Sequence, residues 1–218
     1  MYSQIDANKR KTWFLIVIFT VIIVVLGLVF GEITGSGNVG LIAAVLIATV
    51  MNLVGYYRGD KVALAASGAK EITKQDQPRL YRMVENLSIT AGLPMPKVYL
   101  IQDPSPNAFA TGRDPEHASV AVTTGLLKIM DDKELQGVLA HEMSHVKNYD
   151  IRVMTIVVVL VGIVLLLSDI LLRSMFYGGR GSNDNRAGLV LVVIGIALAI
   201  FSPIFAQMIK LAVSRSRE

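Results

Sequence analysis

The sequence predicts a mainly α-helical membrane protein, with about four transmembrane helices and a small α+β domain between the second and third. Three observations carry that expectation. Of 218 residues, 53% are hydrophobic and only 17% charged, whereas about a quarter of the residues of an ordinary soluble domain carry charge. The apolar residues fall in long uninterrupted runs, as bilayer spans require and a soluble core does not. Between the second and third runs, residues 58–150 hold 11 basic and 12 acidic residues, the mixed composition of a globular domain.

The first run is Trp13 to Phe30, preceded by Lys9-Arg10-Lys11. It reads as a retained anchor, since it is longer than a signal core and no small-residue cleavage site follows it cleanly; a cleaved signal peptide is the alternative. The second, Val39 to Tyr57, ends in a tyrosine pair suited to the headgroup region, and Gly35 and Gly37 lie in the turn between the two. The third starts at Val153 and is uncharged to Ser168. Asp169 and Arg173 follow, four residues apart, so a helix would place them on one face. The fourth, Ala187 to Ile209, carries Pro203, which should kink it. The alternative for the last two runs is packing against the polar domain without a full crossing. Loop charges put the N-terminus and the region after Tyr57 on the cytoplasmic side, although the arginines of the polar loop 177–186 fit that scheme poorly.

Within the polar region, Gln75 to Gly92 has helical spacing and ends at Gly92-Leu-Pro-Met-Pro. Lys97–Ile101, Asn107–Gly112 and Ala118–Thr123 read as strands, the last two separated by Arg113-Asp-Pro-Glu. Asp131, with Glu134 three residues on, opens a helix running to about Asn148.

The charge and composition exclude several classes. The net charge of +4 comes from residues flanking the apolar runs, so no nucleic-acid partner is expected. The chain has no cysteine, which removes disulfide scaffolds, thiolate metal sites and cysteine nucleophiles. A transporter would call for ionisable residues within the spans, and only Asp169 approaches that.

The chemistry lies in His141-Glu-Met-Ser-His145 on the last predicted helix. Histidines four apart project from one helix face and can share one tetrahedral metal. Glu142 lies about 100° around the helix, placed to act as general base on a water while Zn²⁺ polarises the scissile carbonyl. The motif uses two of three histidines; His117, in a charged turn, reads as an exposed loop residue more readily than as a ligand. Two histidines leave a catalytic zinc one protein ligand short. Two further crossings would return the chain to the same side at Ser214-Arg-Ser-Arg-Glu218, so Glu218 is the candidate third ligand, an exposed terminal glutamate being the alternative. Asp150 would either orient a zinc-binding histidine or simply mark the helix end. The stretch Asn107–Thr111, with Asn107 and Phe109 as candidate substrate-binding residues, would offer a strand edge to an extended peptide or form an ordinary core strand.

These residues resemble the HtpX-type membrane metalloproteases, relatives of the CAAX prenyl proteases. The resemblance rests on the paired N-terminal spans, Asp76-Gln-Pro-Arg-Leu-Tyr81, Ala91-Gly-Leu-Pro-Met-Pro-Lys-Val98, Pro106-Asn-Ala-Phe-Ala-Thr-Gly112, His141-Glu-Met-Ser-His-Val-Lys-Asn-Tyr-Asp150 and the Ser-Arg-x-Arg-Glu ending. It implies a gluzincin-type fold, one zinc held by His141, His145 and a carboxylate, and Glu142 as catalytic base. Glu218 matches the first glutamate of the family's Arg-Glu-aromatic-x-Ala-Asp motif; the Ala-Asp is absent, which implies a C-terminally truncated chain. The expected organisation is a transmembrane hairpin over 1–57, the N-terminal part of a zinc metalloprotease domain over 58–150, and a hydrophobic hairpin over 151–218. The expected function is a zinc endopeptidase of a bacterial or archaeal cell membrane, multi-pass, cutting membrane or misfolded proteins on the cytoplasmic side. A stress-linked quality-control role is implied by the resemblance alone. A prenyl-protein protease and a non-catalytic membrane scaffold are the alternatives; an intact Glu142 argues against the scaffold.

Overall fold

The computed structural model describes residues 2–34 and 38–177. Its helices are α1 (Tyr2–Thr34), α2 (Asn38–Ala66), α3 (Pro78–Ala91), α4 (Thr124–Ile129), α5 (Asp132–Lys147) and α6 (Asp150–Tyr177). Its strands are β1 (Lys70–Glu71), β2 (Lys97–Ile101), β3 (Ala108–Gly112) and β4 (Ala118–Thr123), with a short 3-10 turn at Pro115–His117. The first three apolar runs fall in α1, α2 and α6. The fourth run, the loop 177–186 beyond Tyr177, and Glu218 lie outside the described residues. Among the described residues one helix, Leu41–Ala66, is long and apolar enough to cross a membrane.

The chain divides into two compact units. The second comprises Phe14–Gly55 and Val157–Glu218. There α1 and α2 bury Phe19, Ile23, Ala44 and Ala48, and Asn52 Nδ2 donates to Thr20 Oγ1 at 2.8 Å. Val39, Ile42, Leu46, Val50 and Leu53 are all exposed along one side of α2.

The first unit comprises Met1–Trp13 and Tyr56–Ile156, and it contains the sheet, ordered β1-β2-β4-β3. β4 is central, parallel to β2 and antiparallel to β3. All six of its residues are buried, which suits the unbroken Ala-Ser-Val-Ala-Val-Thr run of a strand covered on both faces. Helices α3 and α5 close the core by contributing Leu80 and Val84, and Leu135, Leu139, Met143 and Val146, against Val98, Val120 and Val122. Pro78 opens α3, and Gly92 ends it at φ 67°, with Leu93 N–H returning to Ser88 O at 2.9 Å. The Asp131–Glu134 pair forms a reciprocal capping box at the start of α5.

Three local features differ from expectation. α2 continues through the charged residues after Tyr57 to Ala66. α3 starts at Pro78, because Asp76 folds back to accept from Thr73 N–H and Oγ1, both at 2.7 Å. β1 and α4 were not predicted; Thr123 caps α4 by accepting from Leu126 N–H.

Candidate metal centre

α5 carries the motif on a helix fixed at its start by the capping box and along its length by the four buried apolar residues. The potential ligand atoms of His141, Glu142 and His145 lie within 4.8 Å of one another. The two imidazoles meet edge to face, with Nε2 of His145 3.3 Å from Nε2 of His141. The donor set can be tested against zinc directly. Two nitrogens each about 2.0–2.1 Å from a tetrahedral ion stand about 3.3–3.4 Å apart, and the separation of this pair matches that.

His145 is held from behind. Its Nδ1–H donates to Asp150 Oδ2 at 2.9 Å, which fixes the tautomer and leaves Nε2 as the nitrogen directed toward His141. Asp150 opens α6 beyond a break at Asn148 and Tyr149, and Tyr149 has φ 61°. Asp150 lies against His145 and also begins the next helix. Its other oxygen, Oδ1, accepts from Asn8 Nδ2 at 2.5 Å. Nothing in the sequence singled out Asn8.

Glu142, half-buried, reaches the sheet: its Oε2 accepts from Ala110 N–H at 3.0 Å. Among the described residues β3 is an edge strand, bonded to β4 alone. Since strand backbone groups alternate, Ala108, Ala110 and Gly112 turn theirs to the open edge. Gly112 N–H is taken by Thr155 Oγ1 at 3.0 Å, and Thr111 Oγ1 lies 2.7 Å from the same hydroxyl. Among the described residues the open part of the edge is therefore its beginning, next to Asn107 and Phe109. Asn107 is exposed and its backbone bonds to Thr123; Phe109 packs against the small cluster of Leu64, Ile101 and Ala121.

His117 stands apart from this group. Its Nδ1–H donates to Asp114 Oδ1 at 2.6 Å, and its Nε2 accepts from Arg113 Nη2 at 2.8 Å. Burial alone would raise the Asp114 carboxyl, but the bonds and charge of His117, helped by Arg113, hold it below its usual range. His117 is thus a half-exposed turn residue with both ring nitrogens engaged.

Two histidines one helical turn apart, a glutamate beside the first, and a carboxylate behind the second make a group that could hold a metal ion, the arrangement a metal-dependent hydrolase requires. The model of peptidase family M48 matches residues 74–218. Proteins named protease HtpX homolog align over the whole chain: that of Tropheryma whipplei strain Twist is 49% identical over 218 residues, 74% of its length. The Dictyoglomus thermophilum relative is 42% identical over 217 residues and 71% of its length, and that of Streptococcus gordonii 39% over 224 residues and 75%. The chain belongs to peptidase family M48, and it is an HtpX-type metalloprotease.

Proposed function

We propose that the chain is a zinc endopeptidase that cuts membrane or misfolded proteins at the cytoplasmic face of a cell membrane, with His141 and His145 as zinc ligands and Glu142 as the base. The observation that carries this is the 3.3 Å separation of the two Nε2 atoms, matched to one tetrahedral ion, with Asp150 locking the second ring. Glu218, outside the described residues, is proposed as the third protein ligand, which two histidines alone leave wanting.

A bound zinc ion supplies Lewis-acid polarisation of the scissile carbonyl and acidifies the attacking water. Glu142 takes one proton from that water as its oxygen adds to the carbonyl carbon. The same carboxyl then returns the proton to the leaving nitrogen as the C–N bond breaks. The bond from Ala110 N–H holds Oε2 and thereby orients the carboxylate, leaving Oε1 to exchange the proton. A substrate in extended form would add along the open start of β3, near Asn107 and Phe109, where backbone groups are not claimed by Glu142 or Thr155. The membrane part of the reading is supported by the span Leu41–Ala66 and by the exposed apolar side of α2, a patch that a protein in water rarely shows.

The test is zinc content and casein cleavage by the detergent-purified chain. One zinc per chain, lost in His141→Ala and His145→Ala together with chelator-sensitive cleavage, is the expected result. Zinc retained in both variants would overturn the ligand assignment.

A further inference from the structure

We propose that Asn8, near the start of α1, is a positioning residue for the metal site that acts through Asp150 on His145; this rests on the reading of His145 as a ligand. Asn8 lies in a polar, basic stretch, yet it is only 7% exposed. Its amide donates twice, to Asp150 Oδ1 at 2.5 Å and to Asn148 O at 3.0 Å. Both partners are acceptors, so only the NH₂ group can face them, and the amide orientation is determined.

The bonds form a continuous series. Asn8 donates to one Asp150 oxygen, His145 Nδ1–H donates to the other, and His145 Nε2 is thereby directed at His141. A carboxylate held at one oxygen only can turn about its terminal torsion, which is broad; held at both it cannot. Asn8 fixes the backbone as well. Asn148 caps α5, whose terminal carbonyls lack helical partners, and between Asn148 and Asp150 stands Tyr149, the one described non-glycine residue with positive φ. Asn8 thus ties together both sides of the joint that brings Asp150 back to His145. The neighbouring Lys9 ammonium lies 5.3 Å from the Tyr149 ring centre, bracing the same joint. Thr12, one turn on and also buried, donates to Asn8 O at 2.9 Å.

The experiment measures zinc affinity of the full chain in detergent by competition with a chromophoric chelator, and the visible spectrum of the cobalt-substituted protein. Losing the partner behind a metal-bound histidine weakens binding by about 10–100-fold. Asp150→Ala should fall in that range, and Asn8→Ala, one bond further out, should weaken binding by about 3–10-fold and alter the cobalt bands. Asn8→Asp, with nearly the same shape, should be at least as damaging, because it sets a carboxylate against a carboxylate. In an Asp150→Ala background, Asn8→Ala should add nothing. Unchanged affinity and spectrum in Asn8→Ala and Asn8→Asp would overturn the proposal, as would losses that simply multiply in the double variant. Wild-type zinc affinity in His145→Ala would instead sink the ligand reading on which the proposal rests.

Discussion

Gly112 closes β3 at φ 143°, a conformation L side chains rarely adopt, and a Cβ there would sit 2.4 Å from His117 O and 3.0 Å from Ala118 Cα. Both contacts are backbone, so the strand end must move. The conformational strain costs about 1–3 kcal/mol and the overpacking about 1–3 kcal/mol more. Gly112→Ala should therefore lose about 2–6 kcal/mol, a large part of a typical stability of about 5–15 kcal/mol. Gly92→Ala is the comparison: its φ is 67°, but a Cβ there meets nothing within 4 Å, so only a left-handed cost of about 1–2 kcal/mol applies. Thermal unfolding of the two variants in the same detergent separates the terms, because a kcal/mol is worth a few degrees. Gly112→Ala should also cut activity out of proportion, since Ala110 N–H, which orients Glu142, lies two residues away. Equal melting temperatures for the two variants would refute the steric argument.

Gly137 is exposed in mid-α5, with open space where a Cβ would go; Gly137→Ala should stabilise the motif helix by up to about 1 kcal/mol in the same melts. Asp131 accepts from Lys133 and Glu134 N–H, both at 2.8 Å, and Asp131→Ala should cost about 0.5–2 kcal/mol, visible as faster amide exchange over the first turn of α5. Asp114 has a lowered carboxyl, so its contribution is present above its unfolded value of 3.8 and disappears as pH falls through the lower folded value. Asp114→Asn, which keeps an oxygen for His117 N–H, should flatten the wild-type loss of stability below pH 3.8 in acid titrations followed by circular dichroism.

What the sequence made legible was local. The capping box, the Pro78 and Gly92 boundaries of α3, and the apolar strands β2 and β4 all carry their signals within a few residues. The motif helix was legible for the same reason, and its histidines meet as their spacing requires. α2 was expected to stop at Tyr57 because the composition changes there, but charge alone does not end a helix. β1, at two residues, and α4, at six, are too short for any periodicity to register. The edge position of β3 follows from the order of the whole sheet, and its bond to Glu142 from packing between elements. Asp150 could be read either way because residues five apart on a continuous helix diverge by about 140°; the break at Tyr149 brings it back to His145. Asn8 was beyond reach, since its partners lie 140 and 142 residues away.

In the proposed mechanism the paired histidines hold the metal while Glu142 moves the proton. Glu142→Gln separates the two, because the glutamine carbonyl can still accept from Ala110 N–H while having no proton-accepting carboxylate. Zinc content and casein cleavage should be measured on the same preparation of that variant and of the wild-type chain. Zinc should be bound as in the wild type, with cleavage reduced by about 100-fold or more. Chelator-sensitive cleavage at the wild-type rate in Glu142→Gln would contradict this mechanism.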